Sequence, residues 1–295
     1  MSVLVFGSVN IDRSFRLPHW IECGETISSL SLSTQAGGKG ANQAVALSKA
    51  GTETYLAATI GSDGLWIKDL LGSYGVNTSL IAVKENSFTG TATILLDDKG
   101  RNSIVLYGGG NRENDEGYIE NVLSRFGEGD WIVLQNEINN LGLIMDTARK
   151  RGMKICLNPS PFEESLLSLD LGSVDLIVVN EIEIMQLMKG SSGSWDDIIR
   201  LCSERYPSSS ILLTLGEEGS IFKDKNSPAL IKTAIVKTSV VDTTAAGDTF
   251  LGYFLSGIMK GNSPEESLRR ATKASSVAVS RAGAMDSIPY SGEIE

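Results

Sequence analysis

The feature that most limits how this chain can fold is a series of short, wholly apolar runs separated by helical patterns. "SVLVFGS" opens the series, and "TYLAATIG", "DWIVLQNE", "MKICLNPS", "VDLIVVNE" and "SILLTLG" follow. Each has the length and β-branched content of a strand, and none alternates with polar residues, so none can leave one face in water. Between several of them lie "NQAVALSKAG", "LIMDTARKRG" and "EIEIMQLMKG", whose apolar residues recur at helical spacing. Doubly buried strands alternating with helices predict an α/β fold, with a mostly parallel central sheet covered on both sides. Two stretches break the rhythm: "IDRSFRLPHWIECGETISSLSLSTQ" and "SFTGTATILLDDKGRNSIVLYGGG". They read as short alternating strands with turns, a small β excursion from about residues 12–35 and 88–108. With no internal repeat, low-complexity segment or long linker, residues 1–295 are expected to form one domain carrying a β lid.

Composition narrows the function. The chain has 26 basic and 36 acidic residues, a net charge of -10. Tracking a nucleic-acid backbone rests on Lys and Arg, so a nucleic-acid partner is not expected, whereas a small phosphorylated ligand needs only a few local donors. No apolar run is long enough to span a membrane, and "MSVLVFGSVNID" has no basic segment ahead of a long apolar core. A cytoplasmic protein is expected. Cys23, Cys156 and Cys202 are far apart and form no C-x-x-C pair, so they read as reduced residues. His19 is the single histidine, which points to a carboxylate as the base if the chain is an enzyme.

In open α/β sheets ligands bind beyond the C-terminal strand ends. Here those ends supply Asn10, Asp12, Glu137, Asn158, Asn180, Glu183, Thr214 and Gly216. Asn10 and Asp12 share one face of extended chain, suited to paired hydroxyls, although an Asx turn also accounts for them. "AGGKGANQAVALSKAG" sets a Gly-Gly turn before a helix. It is neither a Walker A loop nor G-x-G-x-x-G, and it is either a site of close ligand approach or a plain strand-to-helix turn. "VNEIE" places Asn180 and Glu183 as a capping box or as an amide and carboxylate organising hydrated Mg²⁺. "LLTLGEEGS" is either an open backbone for a nucleotide or a hairpin turn into "SIFKD". "VDTTAAGDTF" is the strongest signal: it is either a helix with an acid in its first turn, which explains Asp248 but not the preceding Ala-Ala-Gly, or an anion hole with a base next to it, in which Ala245, Ala246 and Gly247 leave first-turn amides uncovered beside Asp248.

In this order these segments resemble the ribokinase family of carbohydrate kinases, the PfkB family, over about residues 3–289. "GGKGANQAVA" and "DTTAAGDTF" match its two signature regions, and the first, with "GSVNID", is similar to the ribokinase branch. The resemblance implies a three-layer α/β/α sandwich with a lid that doubles as a homodimer clasp. It implies ATP-dependent phosphorylation of a sugar hydroxyl, D-ribose to D-ribose 5-phosphate. Another sugar, sugar phosphate or nucleoside, or a non-catalytic binding homologue, is the alternative. Asp248 corresponds to the catalytic base, with Ala245, Ala246 and Gly247 as the anion hole. Asn10, Asp12, Gly38, Lys39, Asn42 and Glu137 correspond to sugar-binding positions. Asn180, Thr214, Gly216, Gly219 and Thr272 correspond to the ATP site, and Glu183 to a position linked to Mg²⁺. Asp242, Thr244, Ala278, Arg281, Gly283 and Ser287 correspond to a monovalent-cation site, usually K⁺. Thr272 stands where a longer polar residue is usual and Lys273 follows it. Cys23 replaces the proline of a "PGET" motif, and "SIPYSGEIE" leaves a short or missing terminal helix.

Overall fold

The computed structural model describes residues 1–294. In chain order its first strands are β1 (Val3–Phe6), β2 (Asn10–Leu17), β3 (Ser31–Gly37), β4 (Thr54–Gly61) and β5 (Ile81–Lys84). Next come β6 (Gly90–Asp97), β7 (Asn102–Tyr107), β8 (Trp131–Gln135) and β9 (Lys154–Asn158). The last are β10 (Leu176–Asn180), β11 (Ser210–Thr214), β12 (Ser220–Lys223) and β13 (Leu230–Thr233). The helices are α1 (Lys39–Lys49), α2 (Leu65–Ser73), α3 (Glu116–Leu123) and α4 (Leu141–Lys150). They continue with α5 (Glu181–Leu187), α6 (Trp195–Arg205), α7 (Ala246–Met259) and α8 (Pro264–Val279).

Nine strands form one sheet in the order β13-β12-β11-β10-β9-β8-β1-β4-β5. It is parallel from β11 to β5, and only β12 and β13 join antiparallel. The reason is visible in β1, whose four residues are all fully buried. Val3 and Val5 pack into a core shared with α1, α2, α7 and α8. Leu4 and Phe6 point the other way, into a core built with α3, α4, α5 and α6. A period-two backbone with apolar residues at every position must be covered on both faces, and three layers result.

The second sheet has four strands in the order β3-β2-β6-β7. It starts at Asn10, two residues before the expected excursion, so Asn10 and Asp12 lie in β2, with Asn10 opposite Gly37 and Asp12 opposite Gln35. They occupy one face of a strand rather than an Asx turn. "SIFK" is β12, the hairpin return from β11.

Candidate active site

Because β1 and β8 to β11 run in the same direction, their C-terminal residues form one edge. Gln135 lies beside Asn158, and Asn180 beside Thr214, in the sheet register. Above this edge is a cavity of about 260 Å³, lined by Lys39, Asn158, Asn180, Glu183 and Thr214 and, at the entry of α7, by Thr243 and residues 245–248. A larger open groove of about 1210 Å³ lies between Phe162, Ile182, Met185 and Trp195. It brings together none of the polar strand ends, so the smaller cavity is the chemical candidate.

The entry of α7 is unusual. Ala245, its N-cap residue, has φ 59° and ψ 10°, in the left-handed region that disfavours a Cβ by about 1–2 kcal/mol. No side chain caps the helix. The turn folds back far enough for the Ala246 amide to donate to the Thr243 carbonyl (3.2 Å). Of the first-turn amides expected to stay open, that one is therefore engaged within the chain. An added Cβ on Gly247 would have nothing within 4 Å, so the space on the side-chain side of its Cα is open.

At the next residue Asp248 is 9% exposed, and both of its oxygens are held by amides. Oδ2 accepts from Asn42 Nδ2 at 3.0 Å and Oδ1 from Gln43 Nε2 at 2.9 Å. Glu183 Oε2 accepts from the Asn180 amide (3.0 Å), and Asn180 Oδ1 accepts from the Glu183 amide (2.8 Å), so the capping box is real. Glu183 also lines the cavity, so capping leaves it available to a ligand.

A second cluster lies where β1, the small sheet and α1 meet. Glu137 Oε2 accepts from the Ser8 hydroxyl and from the Lys39 amide (3.2 Å). Gly38, with φ 93°, and Gly40 are dictated by crowding: a Cβ would fall 2.8 Å from the Ser8 carbonyl oxygen and 2.4 Å from the Ser8 nitrogen, respectively. The glycines of "GGKGANQ" thus admit the chain's own backbone. Asn10 Oδ1 accepts from Asn111 Nδ2 (2.8 Å), and the Asn111 Oδ1 accepts from the Val9 amide (3.0 Å). Burial, then the nearby Glu137 charge, pushes the Asp12 pKa up to about 7. Burial acts to lower the Lys39 pKa, but Asp248, Glu137 and Glu183 outweigh it and hold the ammonium above its ordinary value. Two acceptors here are buried with no partner, Asp12 Oδ1 and Asn42 Oδ1. Buried acceptors are rarely left unpaired, so the pair points to hydroxyl donors from a ligand.

Comparisons with known proteins give the family. Residues 1–290 match the pfkB family carbohydrate kinases. The chain belongs to the pfkB family. It is 31% identical to the ribokinase of Haemophilus influenzae over 98% of this chain and 95% of that protein. Among solved structures, a Cryptococcus neoformans var. grubii ribokinase in complex with ADP superposes with a TM-score of 0.85 at 33% identity, covering 99% of this chain and 98% of that one. The Arabidopsis thaliana ribokinase complexed with ribose and ATP gives a TM-score of 0.87 at 30% identity, covering 99% and 97%.

In this pfkB-family chain, Asp248, Lys39, Asn180, Glu183, Thr214, Ala245, Ala246 and Gly247 meet at one cavity. Asp242 and Thr244 lie just before it. Asp242 Oδ1 accepts from the Thr244 amide and hydroxyl (2.9 and 2.6 Å), and Oδ2 accepts from the Gly283 amide (3.0 Å). Burial acts to raise the Asp242 pKa, but these donors outweigh it and keep the carboxyl below its ordinary value. The residue before Asp242 and Asp242 itself donate their amides to the Val279 carbonyl, which draws the end of α8 alongside. Arg281 pairs instead with Glu293 at 2.6 Å, and the buried Ser287 hydroxyl donates to the Ala284 carbonyl (2.8 Å). Ala278 is fully buried, and its carbonyl accepts from the Arg281 amide. Thr272 is also buried, donates to the Leu268 carbonyl (2.9 Å) and does not line the cavity. Gly216 and Gly219 form the β11–β12 turn, where a Cβ on Gly219 would fall 2.1 Å from the Thr233 carbonyl oxygen. Sequence reasoning missed Ser8, Gln43, Asn111 and Gln135. Gln43 stands inside the quoted motif and could have been found by its helical neighbourhood with Asn42, but the others required the tertiary contacts.

Proposed function

We propose that this chain is a ribokinase, transferring the γ-phosphoryl group of ATP to the 5-hydroxyl of D-ribose. The observation that carries the reading is the Asn42 amide. Its nitrogen donates to Asp248, while its oxygen is a buried acceptor without a partner, as is Asp12 Oδ1. A polyol entering there satisfies both acceptors and lies beside the carboxylate. The ribokinases similar to this chain, one of them complexed with ribose and ATP, support the choice of sugar.

In this reading Asn10, Asp12, Gly38, Lys39, Asn42 and Glu137 hold the sugar. Asp248 accepts the hydroxyl proton as the oxygen attacks phosphorus, and the bond from phosphorus to the departing ADP oxygen breaks. Ala245, Ala246 and Gly247, with the positive end of α7, take up charge on the transferring group. Asn180 and Thr214 face the nucleotide phosphates, Gly216 and Gly219 shape the turn beside it, and Thr272 supports the helix behind. Closing the small sheet as a lid excludes water and limits ATP hydrolysis.

Among the described residues no group of three or more His, Cys, Asp or Glu side chains is assembled to hold a metal. Mg²⁺ usually keeps several waters and needs only one or two carboxylates. Glu183 on the cavity wall suits an ion held that way, which would offset phosphate charge. Asp242, kept ionised and wrapped by the backbone around Gly283, suits a weakly hydrated cation such as K⁺. Thr244, Ala278, Arg281 and Ser287 complete that loop, mainly through the main chain.

One assay tests these roles: ADP release with a panel of sugars and Mg²⁺, in K⁺ and in tetramethylammonium. Ribose should be the best substrate and K⁺ should raise the rate. Asp248→Ala should lose at least about 10³-fold in kcat while binding ribose nearly as well. No turnover on ribose with turnover on another sugar, equal rates in the two salts, or an active Asp248→Ala would each overturn its part of the reading.

A further inference from the structure

Gln43 follows Asn42 on α1, but its side chain has a different position. It is 0% exposed and does not line the cavity. Its Nε2 donates to Asp248 Oδ1 (2.9 Å) and to Asn158 Oδ1 (3.3 Å). Its Oε1 accepts from Gln135 Nε2 (2.6 Å), which fixes the direction of the amide, because the oxygen end is already committed. Gln135 is itself fully buried at the end of β8. Beyond Gln43, Asn158 Nδ2 donates to the Val178 carbonyl (3.0 Å) and to Glu183 Oε2 (3.3 Å). A continuous hydrogen-bonded chain therefore runs from Asp248 through Gln43 and Asn158 to Glu183.

We propose that Gln43 is a positioning residue that fixes the plane of the Asp248 carboxylate and couples it to the Asn158–Glu183 arm. The inference rests on Asp248 acting as the base, as proposed above. Asn42 alone fixes one carboxylate oxygen and leaves the group able to swing about that contact. A second donor on the other oxygen sets the plane, and with it the direction of the lone pair that meets the hydroxyl. The Asn42 amide is held at one end only, since its oxygen has no hydrogen-bond partner. Gln43 is fully buried away from the cavity wall, and both ends of its amide are engaged. On the other side it keeps the Asn158 oxygen turned away from Glu183, so the Asn158 nitrogen faces that carboxylate. The base and the phosphate-side acid therefore share one geometry, set by one buried amide.

The test uses the full chain with Gln43→Met, which keeps the side-chain length, and Gln43→Glu, which keeps the shape. The Met variant removes both donors. The Glu variant also sets a second carboxyl against Asp248. Both should lower kcat about 10- to 100-fold, the scale expected of misplacing a reacting group, with the ribose KM within about threefold of wild type. Combining Gln43→Met with Glu183→Gln should lose less than the product of the two separate losses, because the chain is already broken. A residue that only fills space would lower thermal stability and leave the kcat of the folded enzyme unchanged, and that result overturns the inference, as does a multiplicative combined loss. A second readout needs no activity: melting temperatures of Gln43→Met, Asp248→Asn and their combination. Non-additive shifts are expected, and additive shifts overturn the coupling even if the wild type turned over no sugar and the kinase reading itself fell.

Discussion

Asp12 carries a proton through most of the acid range because burial, reinforced by Glu137, pushes its pKa up to about 7 from an ordinary 3.8. The sign of its effect on stability follows. A group whose folded pKa is raised adds stability that is complete below the unfolded pKa and is lost as pH rises through the folded one. Thermal stability of the ligand-free protein should therefore fall from about pH 4 and level off above about pH 7, and Asp12→Asn should flatten that fall. Sugar binding should respond in the opposite sense, since an ionised carboxylate is the better acceptor for hydroxyls. Calorimetric affinity for ribose should rise over the same interval in the wild type and stay level in Asp12→Asn. The sequence marks Asp12 as a candidate by its i, i+2 relation to Asn10. Its protonation was not legible there, because Glu137 is more than a hundred positions away and burial is a property of the folded chain.

At the scale of elements, two glycine-bearing helix entries look alike in sequence and behave differently in the fold. The first-turn amides of α1 are taken by the protein itself: Lys39 donates to Glu137 (3.2 Å), Gly40 to the Ser8 hydroxyl (3.2 Å) and Ala41 to the Ser8 carbonyl (2.9 Å). The entry of α7 has no capping side chain and has open space above Gly247. Helix N-termini attract anions only where such donors remain exposed, which favours α7. Gly247→Leu should fold with a melting temperature close to wild type, since its Cβ meets nothing. It should nevertheless raise the ATP KM and lower kcat by about 10-fold or more, because the side chain covers the donor face. Normal turnover in a well-folded Gly247→Leu would show that the phosphate does not approach there. The same comparison explains what the motif "GGKGANQ" conceals: a glycine forced by Ser8 cannot be told from one that admits a ligand until Ser8 is in place.

Across the whole molecule, α1 ties distant regions together. Its first residues hold Asp248, while Lys49 at its last turn donates to the carbonyls of Met285 and Ile288 (2.9 Å each). The Lys49 ammonium also lies 4.3 Å from the Tyr74 ring centroid and 4.9 Å from that of Tyr290. Burial, partly offset by Asp286 and Glu293, brings its pKa down to about 8. Lys49→Met would leave two carbonyls unpaired and free the segment that follows α8, at a loss of about 2–4 kcal/mol measurable by urea unfolding. The small sheet presents the other large-scale feature. On its edge strand β7, Ile104, Val105, Leu106 and Tyr107 are between 56% and 63% exposed, and an apolar edge of this kind invites pairing. We propose that it is covered by a second copy in a homodimer. Val105→Lys should then shift sedimentation toward monomer with the main fold intact, and a wild type that sediments as a monomer at every concentration would refute the clasp.

The sequence by itself determined the layered α/β class, because strands apolar at every position must be covered on both faces. It also determined the α7 turn, because small residues and an acid next to a helix start are local chemistry. Tertiary structure alone decided which oxygen of Asp248 each amide holds, which glycines serve the chain's own backbone, and which buried acceptors have no partner within the chain. Those properties depend on residues far apart in sequence being brought within about 3 Å, where hydrogen bonds act, and no local pattern encodes such a distance.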